Sequence, residues 1–238
     1  MVERRIENPC VGSPILPLGT IEIFQNMKII IFDTETTGLP IRDAGIEKQP
    51  YIIQFASLTF DYNPLTKHFV ECARYDQLIK PPISVPSEST RICGISDADV
   101  SNKPSFSELY TEISQLFHES DIAIAHNLEF DRLMLINEIQ RLGKTGDLMP
   151  AETYDTMEKT RNLCKLPGRG YGYKSPKLME LHHFLLSDGF MDAHNAIKDV
   201  EALSRCVNAL LQNGYYTPQP RAKVTPVNTS VAEQFSLF

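Results

Sequence analysis

An α/β fold, with a mixed sheet flanked by helices, is what the sequence predicts, on three observations. Between residues 28 and 79 three strand-like stretches follow one another with turn signals between them. From residue 104 onward, strand-like and helix-periodic segments alternate instead. A last helix-periodic stretch carries Val200, Leu203, Val207 and Leu210 on one stripe, the pattern of a helix packed on a sheet.

The first strand, 28–33, is an almost unbroken apolar run ending in a carboxylate, Lys28-Ile29-Ile30-Ile31-Phe32-Asp33. The second reads "YIIQFASLTF" (51–60) and the third "HFVECARYDQLI" (68–79), with Asn63-Pro64 marking the turn before the third. Adjacent strands on short connections imply antiparallel pairing. A helix follows Pro104 and runs to about His118; "DIAIAHN" is a short apolar strand; a helix over 128–142 stops at Gly143. A short strand near Tyr154 and helices over 156–164, 176–186 and 195–212 complete the series. Residues 1–26, with Pro9, Pro14 and Pro17, read as an irregular extension. Residues 27–214 form the compact domain, and 215–238, rich in proline, threonine and polar residues without period, form a flexible tail.

At 238 residues and 42% hydrophobic, the chain can build one large core. No apolar run approaches the roughly 20 residues of a membrane span, and "SPILPLG" is too short and proline-broken for a secretory core. No membrane association or export is expected. Cys10, Cys72, Cys93, Cys164 and Cys206 are widely spaced with no C-x-x-C pair, which fits packing residues in a reducing cytoplasm. A net charge of −7 argues against a broad basic surface that grips duplex DNA. It leaves room for an enzyme that takes a strand end into a metal-loaded site, with weak intrinsic affinity supplemented by a partner.

The chemistry concentrates where the first strand ends. Side chains alternate along a strand, so Asp33 and Glu35 point the same way with Cα atoms roughly 6.5 Å apart. Two like charges losing hydration at the lip of a core call for a cation between them. Asp131 falls early in a helix after a buried strand, and His194 precedes Asp199 by five residues. Within one helix, five residues turn through about 500°, which leaves two side chains about 140° apart. With Asn195 as N-cap, His194 lies outside the helix and Asp199 in its first turn, and both can face Asp33. Four carboxylates and a neutral imidazole suit hard divalent cations. A pair of such ions about 4 Å apart is a known device for phosphodiester hydrolysis, with Asp33 the natural bridge. His194, of ordinary pKa near 6.5, is the local group able to take a proton from water near neutrality.

The order D-x-E, N-x-x-x-D, H-x-A-x-x-D resembles that of the DEDDh 3′–5′ exonucleases. "FDTETTGL", "AHNLEFD" and "HNAIKDVEAL" look like the proofreading epsilon subunits of bacterial DNA polymerase III, over about residues 28–212. The resemblance implies a ribonuclease H-like fold with a mixed five-stranded sheet. It further implies two Mg²⁺ or Mn²⁺ ions and release of nucleoside 5′-monophosphates from a DNA 3′ end. Carried over by position, Asp33, Glu35 and Asp199 would hold one ion, Asp33 and Asp131 the other, and His194 would be the general base. Thr34, Thr36, Thr37 and Asn127 would line the terminal-nucleotide pocket. His126 would shape it, although a histidine ending a buried strand is as often a satisfied core residue. Cys93-Gly94-Ile95 stands where the family usually has His-Gly-Ile. A phosphatase of the haloacid dehalogenase type is the nearest rival, but it needs Asp-x-Asp and gives His194 and Asp199 no work.

Two further stretches carry signals. "KLPGRGYGYK" (165–174) mixes basic and tyrosine residues in a glycine-rich loop that can stack and steer a single strand, or can be simply a loop. The last five residues, with Gln234, Phe235, Leu237 and Phe238, resemble the bacterial sliding-clamp-binding pentapeptide, Phe235 being the departure. A flexible linker of about 18 residues before it would reach roughly 20 to 25 Å. The expected partners are therefore a single-stranded DNA 3′ end, a bacterial-type sliding clamp and a replicative polymerase subunit. An exoribonuclease trimming RNA 3′ ends is the alternative within the same chemistry, and a clamp-tethered binding module the alternative outside it.

Overall fold

The computed structural model describes residues 26–168, 170–187 and 195–219. Nearly all of the expected extension at 1–26, His194, and the tail from 220 with its terminal pentapeptide lie outside these residues, as does Arg169 within the tyrosine-rich loop. Strand β1 spans Met27–Thr36, β2 Ile52–Asn63 and β3 His68–Leu78. Two short helices, α1 (Ser87–Cys93) and α2 (Asp97–Val100), lead to α3 (Phe106–His118). Then come β4 (Ile122–Ala125), α4 (Leu128–Arg141) and β5 (Glu152–Asp155). Helices α5 (Thr156–Lys159), α6 (Arg161–Cys164), α7 (Leu178–Leu186) and α8 (Ala196–Gln212) follow.

The five strands form one sheet in the order β3-β2-β1-β4-β5, antiparallel on the β1–β2–β3 side and parallel on the β1–β4–β5 side. Hence β1 is central and covered on both faces, which is why its sequence is a continuous apolar run and does not alternate. Ile29 and Ile31 pack with Val200, Leu203, Val207 and Leu210 of α8, all at most 1% exposed. Ile30 and Phe32 face the other way, into a cluster with Ile113 and Phe117 of α3 and Met134 and Leu135 of α4. Phe32 meets Phe117 edge to face at 4.9 Å. Alternation thus assigns odd positions of β1 to the α8 face and even positions to the α3–α4 face.

Several elements differ from the sequence expectation. β1 continues past Asp33, so that Glu35 still pairs with Gln54 before the register breaks at Thr36. The β1–β2 connection is long, not short. It is pinned by the Arg141 guanidinium, which donates to the carbonyls of Gln49 (2.7 Å), Pro50 (3.0 Å) and Ile46 (3.2 Å) and lies 3.8 Å over the Tyr51 ring. The expected helix over 156–164 is broken at Thr160, whose hydroxyl donates back to the Thr156 carbonyl at 2.7 Å, a local bond that competes with helix continuation. Helices α1 and α2 occupy a stretch that suggested no element; Asp99 caps α2 through the Ser96 N–H at 2.8 Å. Packing also continues past Gly214. The Tyr216 ring stacks on Tyr154 at 3.9 Å and its hydroxyl donates to Glu152 at 2.8 Å. Among the described residues no helix is long and apolar enough to cross a membrane.

Candidate active site

The C-terminal ends of β1, β4 and β5 lie at the same end of the sheet, because the three strands are parallel. Two helices meet the strands there. α8 begins after the N-cap Asn195, whose side chain accepts from the Lys198 N–H at 3.4 Å. α4 begins after Asn127, held in the left-handed region at φ 80°. One carboxylate secures that second start: Asp155 accepts from the N–H groups of Asn127 and Leu128, each at 3.1 Å, and also from Met157, the second residue of α5, at 2.9 Å. The helix starts that face the site are therefore satisfied by side chains, as buried helix ends require.

On the α8 face the half-buried carboxylates of Asp33, Glu35 and Asp199 converge, one oxygen of each lying within 4.8 Å of the others. Alternation along β1 brings the first two together, and the N-cap at Asn195 turns Asp199 toward them. At an effective dielectric near 20, two unit charges about 5 Å apart repel by roughly 3 kcal/mol. Among the described residues no ion pair includes Asp33 or Glu35. Burial and this repulsion both disfavour the charged forms. Burial, then the charges of Asp131, Glu35 and Asp199, drives the Asp33 carboxyl well above the ordinary carboxylate range. Burial, then Asp199 and Asp131, pushes Glu35 up to about 8. An all-oxygen donor set of this charge fits a hard divalent cation, which would compensate the charge.

Asp131 approaches from the opposite side. It is buried and accepts two hydrogen bonds at one oxygen, from the Thr34 N–H (3.0 Å) and the Thr34 hydroxyl (2.7 Å). Thr34 is an even position of β1 and so faces α4; Asp131 therefore stands beside the three converging carboxylates and is not one of them. Burial raises its pKa to about 7, against the lowering effect of the two Thr34 bonds. Its charge still reaches Asp33, as the Asp33 shift records.

The expected pocket-lining residues divide. Thr34 is committed to Asp131. Thr37 is buried and closes the β1–β2 ladder, its N–H donating to the Tyr51 carbonyl and its Oγ1 accepting from the Tyr51 N–H, both at 2.9 Å. Thr36, half-buried, donates to the Gly38 carbonyl at 2.7 Å, and Asn127 is exposed. Those two are open to solvent. His126 has both ring nitrogens engaged, Nε2 donating to the Pro176 carbonyl at 3.0 Å and Nδ1 lying 2.9 Å from Thr156 Oγ1. Burial lowers its pKa and keeps it neutral, which is the behaviour of a satisfied structural histidine.

A family model described as Exonuclease matches residues 30–206. The chain belongs to this exonuclease family. It is similar to the DNA polymerase III subunit epsilon of Rickettsia prowazekii, 28% identical over 188 residues, which are 78% of this chain and 74% of that protein. The corresponding Treponema pallidum subunit is 31% identical over 109 residues, 46% of this chain and only 45% of that protein. Among solved structures, E. coli Exonuclease I in complex with a dT13 oligonucleotide superposes with a TM-score of 0.60 at 18% identity, covering 77% of this chain and 41% of that one. Exonuclease X in complex with 5′ overhanging duplex DNA gives a TM-score of 0.53 at 22% identity, covering 81% and 96%. At such identities the likeness is one of fold, the ribonuclease H-like exonuclease fold that the motifs implied.

In this exonuclease the structure adds residues that sequence reading did not single out. Asp155 caps two helices, a role with no signal beyond an acidic residue at a strand end. Gln54 pairs with Glu35 across β1–β2 and is buried, 3% exposed, a polar residue inside an apolar strand that was visible but unexplained. Cys93 ends α1 and is buried; burial first, and the Glu35 charge in addition, push its thiol pKa up.

Proposed function

We propose that this exonuclease is a metal-dependent 3′–5′ exodeoxyribonuclease of the DEDDh type that acts beside a replicative polymerase or at a sliding clamp. The observation that carries the reading is the convergence of Asp33, Glu35 and Asp199 within 4.8 Å, in the chain order of the family motifs. Asp33, Glu35 and Asp199 would hold one Mg²⁺ or Mn²⁺, and Asp33 with Asp131 a second. When bound, the chemistry such ions supply is activation of a water and stabilisation of the departing oxygen of a phosphodiester. The remaining work belongs to the chain. His194 takes the proton from the attacking water, and the bond from phosphorus to the 3′ oxygen of the penultimate nucleotide breaks, releasing a nucleoside 5′-monophosphate. Thr36 and Asn127 orient the terminal nucleotide. The resemblance of residues 234–238 to the clamp-binding pentapeptide supports a tether that compensates for the acidic surface. The cysteine pattern supports a cytoplasmic setting.

The test offers 5′-labelled single-stranded DNA, a mismatched primer end and RNA in parallel, with Mg²⁺ or with a chelator. The expected result is stepwise shortening from the 3′ end, abolished by the chelator and faster on DNA than on RNA. A faster loss of RNA would replace this reading with an exoribonuclease, and cleavage that survives the chelator would overturn the metal chemistry.

A further inference from the structure

Gln54 is a buried polar side chain with both of its ends occupied. Its Oε1 accepts from the Ala196 N–H at 3.2 Å, and its Nε2 donates to Asp76 Oδ1 of β3 at 2.8 Å. It lies on the α8 face of the sheet, since Ala56 and Leu58, next but one along β2, pack in the cluster that contains α8. It is also the cross-strand partner of Glu35. Ala196 is the first residue of α8 and fully buried. The first N–H groups of a helix have no partner within it, and a buried one left unmatched is destabilising. Asn195 takes the Lys198 N–H, and Gln54 takes that of Ala196. Asp199 follows within the same first turn, with its own N–H bonded to the Asn195 carbonyl at 2.9 Å.

We propose that Gln54 is a positioning residue that fixes where α8 begins on the sheet and thereby sets Asp199 against Asp33 and Glu35. Asp76 orients it: a carboxylate can only accept, so it selects the amide rotamer whose nitrogen faces β3 and whose oxygen faces Ala196. A strand, a neighbouring strand and a helix start are joined through one amide, and the acidic cluster is built to the resulting spacing. The proposal rests on the reading of Asp33, Glu35 and Asp199 as cation ligands.

Two full-length variants test it, Q54E and the double variant Q54E/D76N. Q54E keeps an oxygen for the Ala196 N–H but turns an acceptor toward the Asp76 acceptor. D76N then supplies the missing donor and returns the net charge to that of the wild type. Each is titrated with Mn²⁺ by calorimetry without substrate, and assayed on a 5′-labelled single-stranded oligonucleotide. Q54E is expected to bind Mn²⁺ at least tenfold more weakly and to lose at least tenfold in kcat with KM within twofold. The double variant is expected to return to within threefold of wild type in both. Wild-type Mn²⁺ affinity and kcat in Q54E, or a double variant no better than Q54E, would overturn the proposal. Failure of the underlying reading looks different, because the wild type itself would then take up no Mn²⁺.

Discussion

Asp33 and Glu35 turn to one face of β1 while Thr34, between them, turns to the other and holds Asp131. A single strand end thus addresses two helices at once, and the charge on each side raises the cost of charge on the other. The titration of the metal-free protein follows. Glu35 and Asp131 have folded pKa values of about 8 and about 7, above their ordinary 4.5 and 3.8. A raised carboxyl stabilises the fold fully below its ordinary pKa, and that contribution is lost as pH rises through the folded value. The Tm of the metal-free protein should therefore fall between pH 5 and pH 8.5, and saturating Mn²⁺ should raise Tm far more at pH 8 than at pH 5. A Tm that rises toward pH 8.5 without metal would contradict the cluster's electrostatics. Asp33→Ala removes the carboxylate common to both expected ions. Cleavage should fall by more than the roughly 100-fold typical of losing an outer-shell partner, while the metal-free Tm at pH 8 rises because repulsion is relieved. Retention of substantial Mg²⁺-dependent activity would count against the site.

At the scale of elements, the site is made of starts and ends. β1 delivers two carboxylates, α8 and α4 begin within reach of them, and Asp155 ties the start of α4 to the start of α5. Losing an ordinary N-cap costs about 1 kcal/mol, and Asp155 serves two helices from a partly buried position. Asp155→Ala should accordingly lower unfolding stability in urea by about 2 to 4 kcal/mol, with Asp155→Asn milder because an amide oxygen still accepts. A loss below 0.5 kcal/mol, roughly that of an ordinary surface change, would show that the helices do not depend on this cap. The break between α5 and α6 at Thr160 belongs to the same economy of local bonds. Thr156 itself is fully buried at the start of α5, directly after β5.

At the scale of the whole molecule, a net charge of −7 sets the enzyme a problem of capture. Under the proposed function, cations in the site and a clamp-binding pentapeptide would be two ways to solve it. Removal of residues 234–238 should leave cleavage of free oligonucleotides within twofold of the full chain and abolish binding to a bacterial sliding clamp, measured by surface plasmon resonance. An unchanged clamp affinity would defeat the tether.

The apolar run of β1, the stripe on α8 and the stop at Gly143 were all legible, because periodicity and turn chemistry act over a few residues and are written locally. So was the shared direction of Asp33 and Glu35, which needs only the alternation of a strand. Other features depend on which strand lies beside which. The seat of Asp131 on Thr34, the hold of Arg141 on the β1–β2 connection, the double cap at Asp155 and the Gln54 anchor each join residues dozens of positions apart. Local pattern decided what each segment becomes; the sheet order and register decided which charges and hydrogen-bonding groups meet. Those contacts are set by burial of the two apolar faces of β1, a property of the assembled core that no single stretch contains.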